Sequence, residues 1–365
     1  MNYDFNKIIS RFAVKGTLKT CEPYGEGHIN ETYLATMDDG GKTVRYILQK
    51  INTGLFKDVG KLMHNIVSVT EFAREMIIEK GGDPDRESLT VVRTHDGAPY
   101  YYDEESKGTF RVYVFITDAV AYQTVEKPEH FYQSALAFGN FANLLAEFDA
   151  SGLYEILPDF HNTEKRFNDF LAAVKSDKCG RARSVKKEID FFLDRKSYAG
   201  RIVSLLKSGE MPLKVTHNDT KLNNVLIDAH TGKYVAVIDL DTIMPGSICY
   251  DFGDSIRFGC NTAAEDEKDL SKVNFDIGLF DTYARGYLEA LGESVSKAEK
   301  DNLAFGAMLM TFECGMRFLA DYLDGDVYFR THREGHNLDR ARTQIKLVSD
   351  MEKRLDEMNE IINKY

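Results

Sequence analysis

The strongest chemical signal in the sequence is a polar segment at 216–224, which reads Thr-His-Asn-Asp-Thr-Lys-Leu-Asn-Asn. Two short apolar runs follow it, separated by turn-forming residues at 228–232, and this pattern predicts a β-hairpin. Folding the hairpin brings Asn224 and Asp239 to the same open end. Asp219 lies five residues before Asn224, on the loop that leads into that end.

The side chains expected at this open end are oxygen donors. An amide oxygen and a carboxylate oxygen are hard ligands, which suit Mg²⁺ held together with substrate phosphates. A further carboxylate that the metal does not occupy can orient a hydroxyl nucleophile and accept its proton. The spacing therefore predicts a magnesium site at Asn224 and Asp239, beside a catalytic base at Asp219. Asp241 either binds the metal as well or caps the following loop.

The elements around this segment predict two structural parts, 1–117 and 118–365. The first part contains short strand-like runs and one segment, 59–80, in which apolar residues recur every three or four positions. The second part contains six segments with helical periodicity, interrupted by one β patch at 214–240. A small antiparallel sheet with one main helix, followed by a larger helical part with an embedded hairpin, is an α+β arrangement.

Composition argues against several classes of protein. The formal net charge is −12, and an acidic surface repels phosphate backbones and anionic lipid, so we expect neither nucleic acid nor a membrane as partner. The five cysteines are scattered and lack a C-x-x-C pair, which is typical of a reducing compartment. We find no signal-peptide pattern, and no stretch that approaches the roughly 20 apolar residues of a membrane span. The expected location is the cytoplasm.

The pattern His217-x-Asp219-x-Lys221-x-x-Asn224 resembles the catalytic loop of the protein-kinase-like superfamily, H-x-D-x-x-x-x-N. The resemblance implies a bilobal kinase fold that uses ATP and Mg²⁺. It implies that Asp219 is the catalytic base and that Lys221 contacts the γ-phosphate. It also implies that Asn224 and Asp239 bind magnesium, while His217 braces the loop.

A second motif, Asp251-Phe252-Gly253, spells the magnesium motif of protein kinases. It follows a loop and lies 32 residues beyond Asp219, whereas Asp239 lies 20 residues beyond it and ends a strand. The metal role is therefore assigned to Asp239. We expect Asp251 and Asp254 to hold the catalytic loop in place.

The nucleotide half of such a site is expected in residues 1–117. Gly25 and Gly27 precede a strand, where the backbone can approach phosphates closely. Lys50, at the end of the next strand, is the natural partner for the α- and β-phosphates. Gln49 is the alternative, because a shift of one residue turns the other face of a strand inward.

Two further nucleotide contacts are expected around this strand. Glu71 or Glu75, on the helix that follows, could pair with Lys50. Phe115 and Ile116 would form the hinge that offers backbone groups to adenine.

The chain also resembles the N-acetylhexosamine 1-kinases, a branch of the aminoglycoside-phosphotransferase family, over nearly its whole length. The segments that carry this resemblance are 25–30, 46–52, 215–224, 238–246 and 317–329. It implies ATP- and Mg²⁺-dependent phosphorylation of the anomeric hydroxyl of N-acetylglucosamine or N-acetylgalactosamine. Contacts to the sugar would come from Asp219, Arg317 and Tyr328, with His28 near the N-acetyl end.

Three alternatives remain open. Arg317 could instead pair with Glu313, one helical turn earlier. The acceptor could be another small alcohol or amine, of the aminoglycoside, choline, methylthioribose or homoserine type. A binding protein without activity ranks last, because Asp219, Asn224 and Asp239 are all present. A protein kinase is disfavoured by the lack of V-A-I-K and A-P-E segments, and the oligomeric state and the preferred epimer stay open.

Overall fold

The structure is a computed structural model that describes residues 3–25 and 29–365. Its contacts divide the chain into two compact units. Unit 1 comprises Met1–Val120, Gly152–Leu157 and Leu226–Ile243, and unit 2 comprises Ala121–Ser151, Pro158–Val225 and Met244–Tyr365. Two predicted contact residues, Gly27 and His28, lie outside the described residues.

The strands, numbered along the chain, are β1 (Thr17–Pro23), β2 (Glu31–Asp39), β3 (Lys42–Lys50), β4 (Val91–Val92), β5 (Tyr101–Asp103), β6 (Gly108–Val114), β7 (Ala119–Val120), β8 (Lys214–Thr216), β9 (Val225–Asp228), β10 (Tyr234–Val237) and β11 (Met244–Gly246). The helices are α1 (Phe5–Ile9), α2 (Val59–Glu79), α3 (Pro84–Glu87), α4 (Pro128–Leu144), α5 (Thr163–Ser176), α6 (Lys186–Asp194), α7 (Arg201–Ser208), α8 (Ile248–Gly259), α9 (Ile277–Leu291), α10 (Lys297–Lys300), α11 (Leu303–Asp324), α12 (His336–Lys353) and α13 (Leu355–Lys364).

Unit 1 is built on an antiparallel sheet with the strand order β1-β2-β3-β6-β4, to which β5 adds beside β6. The hairpin between β2 and β3 turns at Gly40 and Gly41, whose φ angles of 61° and 89° lie in the region that glycine tolerates best. Asp38 closes this turn by accepting a hydrogen bond from the Gly41 N–H at 2.8 Å.

The two faces of this sheet have different neighbours. One face packs its buried side chains, among them Leu48 and Val112, against Ile8 and Phe12 in the N-terminal segment around α1. Side chains alternate along a strand. Since Gln49 pairs with Arg111 across β3 and β6, both side chains lie on the opposite face.

The main helix of unit 1 is α2, as the apolar spacing predicted. Asp58 caps it by accepting a hydrogen bond from the Lys61 N–H, and Leu62, Ile66 and Val69 are buried along one side. Unit 1 also holds a three-stranded sheet in the order β10-β9-β7. Because β9 pairs with β7, the hairpin of β9 and β10 belongs to unit 1. The sequence had placed this hairpin in the second part, 118–365.

Unit 2 is mainly helical, with the short pair β8 and β11 as its own sheet. Its central helix is α11, where 17 residues, from Leu303 to Leu323, are buried. This helix corrects one expectation, because it is long and apolar enough to cross a membrane, with a mean hydropathy of 1.3 over its best window. Since 83% of that window is buried inside the protein, the helix has the character of a core helix. The antiparallel sheet and the many helices confirm the α+β class.

Candidate active site

The segment after β8 gathers three of the predicted residues in unit 2. The Lys221 ammonium lies 2.7 Å from Oδ1 of Asp219. The Asn224 amide nitrogen donates to the Asp219 backbone carbonyl at 2.8 Å and to its Oδ2 at 3.2 Å. The Asp219 side chain keeps 23% of its surface exposed, so a substrate hydroxyl can reach it.

Asp251 on α8 holds the start of this loop. Its two carboxylate oxygens accept hydrogen bonds from the backbone N–H groups of His217 and Asn218, each at 2.7 Å. Asn218 has a φ of 64°, an uncommon conformation that these bonds help to fix. Burial raises the pKa of Asp251, and the two N–H donors only partly oppose that rise.

Asp254, also on α8, holds the next part of the loop. It accepts a hydrogen bond from the Thr220 N–H at 3.2 Å and pairs with Arg257 at 2.9 Å. Burial alone would raise the pKa of Asp254, but Arg257 and Lys221 lower it overall. The prediction that Asp251 and Asp254 hold the loop is confirmed.

His217 is fully buried, with its ring against Phe138 in an edge-on contact at 5.4 Å between centroids. Its Nδ1 accepts a hydrogen bond from the Asp219 N–H at 3.3 Å. A ring with this burial supports the loop from inside, as the resemblance implied.

The donors of Asn224 fit a metal ligand. Among the described residues, both of its side-chain hydrogen bonds use the amide nitrogen, which leaves the amide oxygen as a hard donor. The other predicted ligand, Asp239, is exposed and follows β10 with a φ of 60°. Within 3–25 and 29–365 no cluster of three or more His, Cys, Asp or Glu is placed to hold an ion. The joint role of Asn224 and Asp239 as metal ligands stays a prediction.

Asp241, in unit 1, is committed to other partners. It is buried, it lies 2.5 Å from Nη1 of Arg111, and its Oδ2 accepts a hydrogen bond from the Asn30 amide at 2.6 Å. Burial alone would lower the pKa of Arg111, but Asp241 raises it overall. These contacts make Asp241 part of a structural ion pair, a role that neither open interpretation, metal ligand or loop cap, had included.

Lys50 lies on the sheet face that packs against α1, which contradicts its predicted contact with phosphates. Its ammonium contacts Glu31 Oε1 and the Tyr3 hydroxyl, each at 2.8 Å. Gln49 is on the other face, where its Oε1 accepts two hydrogen bonds from Arg111 at 3.0 and 2.8 Å. The register therefore places Gln49, rather than Lys50, on the face that carries Asp241.

The helix partner predicted for Lys50 is also wrong. Glu71 pairs instead with Arg93 at 2.5 Å, and Glu75 is exposed on the same helix. The polar residue that α2 directs into unit 1 is Asn65, which is buried and donates to the Ile243 carbonyl at 2.8 Å.

The other residues predicted to contact the nucleotide are Gly25, Phe115 and Ile116. Gly25 has a φ of 77°, and no atom lies within 4 Å of where its Cβ would be. The Phe115 N–H is used by the Arg45 carbonyl at 3.2 Å, and its ring meets Tyr24 edge-on at 5.8 Å. Ile116, the next residue, is buried. The contact of these two residues with adenine stays a prediction.

Arg317 on α11 lies among aromatic rings in unit 2. Its guanidinium carbon is 5.7 Å from the ring centroids of Phe160 and Tyr328 and 5.4 Å from that of Phe329. Its Nη2 is 3.5 Å from the Tyr328 hydroxyl, and Tyr328 is 65% exposed. The structure thus brings together two of the predicted sugar contacts.

Among the described residues Glu313 and Arg317 form no direct ion pair, although the positive charge of Arg317 still helps to lower the pKa of Glu313. This buried carboxylate instead takes hydrogen bonds from His161 at 2.9 Å and Thr163 at 2.5 Å. Burial alone would raise the pKa of Glu313, but its hydrogen bond with His161 contributes to lowering it overall.

Asp321 shapes the loop that presents Tyr328. It accepts hydrogen bonds from the backbone N–H groups of Val327, Tyr328 and Phe329 at 2.9, 2.8 and 3.0 Å, and from the Asn337 amide at 2.8 Å. A carboxylate with four donors fixes this turn firmly.

Sequence reasoning missed three residues that hold candidate segments in place within their own units, namely Arg111 and Asn65 in unit 1 and Asp321 in unit 2. Arg111 had a visible signal, because a single charge inside an otherwise apolar strand requires a buried partner. Asn65 stands among the apolar positions of α2, where a buried amide also requires partners. Asp321 had no such signal, since its role depends on the path of the following loop.

Known proteins resemble the chain in sequence and in fold. Residues 20–295 match the profile of the phosphotransferase enzyme family (APH). Similar solved structures include an aminoglycoside phosphotransferase from Alicyclobacillus acidocaldarius, with a TM-score of 0.64, 12% identity, and coverage of 100% of this chain and 98% of that one. A choline kinase from Cryptosporidium parvum has a TM-score of 0.54 and 14% identity, with 95% and 92% covered. A spectinomycin phosphotransferase in complex with ADP and spectinomycin has a TM-score of 0.52 and 13% identity, with 94% of each chain covered.

These likenesses confirm the kinase-like α+β fold over essentially the whole chain. The family profile covers well over half of the 365 residues, and it includes the loop that joins Asp219, Lys221 and Asn224. The chain therefore belongs to the phosphotransferase enzyme family and is a small-molecule phosphotransferase of that family.

Proposed function

We propose that this phosphotransferase transfers the γ-phosphoryl group of ATP to the anomeric C1 hydroxyl of an N-acetylhexosamine. The observation that carries the proposal is the partly exposed Asp219 carboxylate with the Lys221 ammonium 2.7 Å away. A base and a cation in contact can act on the two reactants of phosphoryl transfer, the hydroxyl nucleophile and the migrating phosphoryl group.

Asp219 orients the acceptor hydroxyl and accepts its proton as the new O–P bond forms, while the bond from the γ-phosphorus to the β–γ bridging oxygen breaks and ADP leaves. Lys221 leaves Asp219 when the nucleotide binds and stabilises the charge on the transferred group. The hydrogen bonds from Asn224 keep the Asp219 carboxylate aimed while the lysine is away. Most of the acceleration then comes from positioning and electrostatics.

Asn224 and Asp239 are the proposed metal ligands. Bound Mg²⁺ would supply neutralisation of the negative charge on the β- and γ-phosphates. The backbone around Gly25 and the segment around Ile116 are the proposed contacts for the phosphates and for adenine.

The acceptor end of the proposal rests on Arg317 and Tyr328. A guanidinium offers a planar set of donors for ring hydroxyls, and an exposed tyrosine offers a ring face with a polar tip. The resemblance to N-acetylhexosamine 1-kinases also favours a sugar, with His28 near its N-acetyl group.

A cationic acceptor fits this surface less well. Choline and spectinomycin carry positive charge, which the Arg317 guanidinium repels. The carboxylates on the same helix are not offered to an acceptor, because Glu313 and Asp321 are buried and hydrogen-bonded, Glu313 by His161 and Asp321 by backbone N–H groups. An acceptor of the choline or aminoglycoside type is thus the second candidate. Its support is the fold that this chain shares with a choline kinase and a spectinomycin phosphotransferase.

The test is an acceptor panel with ADP release as the readout. The panel contains N-acetylglucosamine, N-acetylgalactosamine, glucosamine, choline, spectinomycin and the methyl glycoside of N-acetylglucosamine. We expect turnover with one or both free N-acetylhexosamines, a product phosphorylated at C1 by NMR, and none with the glycoside, which lacks the anomeric hydroxyl. Preferred turnover of choline or spectinomycin, or of the glycoside, would overturn the proposal.

A further inference from the structure

Asn30 connects two functional segments of unit 1. It follows the glycine segment that begins at Gly25 and stands just before β2. Its amide nitrogen donates to Asp241 Oδ2 at 2.6 Å, and its amide oxygen accepts from the Asn52 N–H at 2.9 Å. Both ends of this one short side chain are therefore engaged.

Asp241 is in turn held by a buried charge. Its other oxygen, Oδ1, lies 2.5 Å from Nη1 of Arg111, whose side chain is 1% exposed. Arg111 is itself oriented by Gln49 on the neighbouring strand. A buried ion pair of this kind keeps one geometry, because each partner is costly to leave alone.

The turn that contains Asp241 has a third support. The Asn65 amide on α2 donates to the Ile243 carbonyl at 2.8 Å, directly after the 3-10 turn Leu240–Thr242. The turn that bears Asp239 is thus held by Asn30 just before β2, by Arg111 of β6 and by Asn65 of α2, within one unit. Of these supports, only Asn30 reaches the segment where phosphates are proposed to bind.

We propose that Asn30 is a positioning residue that couples the nucleotide loop to the Asp239 turn. This inference rests on the proposed function, in which the loop near Gly25 contacts phosphates and Asp239 binds Mg²⁺. Asn30 joins the residues just before β2 to Asp241, which lies two residues from Asp239. Asn30 therefore makes the affinities for nucleotide and for metal depend on each other.

The first test measures this dependence with the full chain. ADP binding is measured by calorimetry for the wild type and Asn30→Ala, each with Mg²⁺ and with EDTA. We expect the ratio of the two ADP affinities to fall about tenfold in Asn30→Ala, the size of one lost hydrogen bond to a charged group. The ADP affinity in EDTA should change by less than about threefold. An unchanged ratio would overturn the coupling.

A reciprocal exchange separates coupling from general damage. Asn30→Asp places two carboxylates against each other, and Asp241→Asn removes the ion pair with Arg111, so each alone should reduce the Mg²⁺-dependent ratio. The double variant, Asn30→Asp with Asp241→Asn, again pairs one amide N–H donor with one carboxylate acceptor, and it keeps a single negative charge at these two positions. We expect it to recover most of the ratio, and a double variant no better than the worse single one would contradict the proposal.

A control variant and the wild type separate the two levels of inference. Lys19→Gln breaks a surface pair with Asp38 at 3.1 Å on the same sheet and should leave the ratio unchanged. If the wild type binds no Mg²⁺–ADP, the proposed function fails and the coupling fails with it. If the wild type binds it and Asn30→Ala keeps the same ratio, the coupling alone fails.

Discussion

The ammonium of Lys221 and the carboxylate of Asp219 form an ion pair at 2.7 Å, two residues apart on one loop. The pair is partly exposed, with 39% and 23% of the two side chains accessible. Burial alone would lower the pKa of Lys221, but Asp219 raises it overall, so the lysine is cationic at neutral pH. In the proposed reaction the Lys221 ammonium leaves the Asp219 carboxylate and contacts the phosphoryl group that is transferred.

Replacing Lys221 tests that exchange. Lys221→Met removes the charge but keeps most of the side chain, so we expect kcat to fall by roughly 10²–10³-fold, as for a lost transition-state donor. The KM for ATP should change less, because the contact is strongest in the transition state. Steady-state kinetics with ADP release measure both values. A kcat within about threefold of the wild type would remove Lys221 from the mechanism.

Replacing Lys50 tests the correction to the nucleotide site. Its ammonium pairs with Glu31 on the face that packs against α1, so Lys50→Met should leave the KM for ATP within about threefold. The loss in stability should be about 0–1 kcal/mol, since the pair is partly exposed. A tenfold rise in the KM for ATP would show that Lys50 contacts the nucleotide after all.

Arg111 and Asp241 should behave as a buried pair. Arg111→Met leaves the Asp241 carboxylate buried without its charged partner, and we expect the free energy of unfolding to fall by about 3–5 kcal/mol. Urea denaturation measures the loss.

A double-mutant cycle is the control for this pair. Adding Asp241→Leu to Arg111→Met removes the unpaired charge, so the double variant should be more stable than Arg111→Met alone. Additive losses would mean that the two side chains do not interact in solution.

The two acids on α8 should give stability profiles of opposite sign. The pKa of Asp254 is lowered in the fold, so its contribution to stability is present above its unfolded pKa and is lost as pH falls through the folded value. The pKa of Asp251 is raised, so its contribution is greatest below its unfolded pKa and is lost as pH rises through the folded value.

Unfolding by urea between pH 3 and pH 7 measures this difference, with each wild-type acid compared with its Asn variant. The loss caused by Asp254→Asn should grow as pH rises from about 3, whereas the loss caused by Asp251→Asn should shrink. Parallel profiles for the two variants would contradict the environments described for these acids.

The sequence predicted those parts of the molecule that depend on neighbours along the chain. Asp219, Lys221 and Asn224 lie within six residues, so one loop brings them together whatever the rest of the fold does. The span of α2 followed from apolar spacing, since a helix buries one face at a period that the sequence displays. The α+β class followed from the same kind of local signal.

The predictions that were wrong or missing concern residues whose position depends on strand register or on partners far away in the sequence. Lys50 and Gln49 are adjacent, and only the pairing of β3 with β6 decides which of them shares a face with Asp241. Arg111 finds Asp241, and Glu313 finds His161, across long stretches of chain, which no local pattern specifies.

Asp219→Asn provides the most direct test of the central claim, that this carboxylate accepts the proton of the acceptor hydroxyl. The change keeps the size of the side chain but removes its basicity. Single-turnover phosphorylation of an N-acetylhexosamine and calorimetric binding of Mg²⁺–ADP are measured on the same preparation. We predict a rate loss of roughly 10²–10⁴-fold, with the dissociation constant for ADP within about threefold of the wild type. A near-normal rate with intact nucleotide binding would contradict the account.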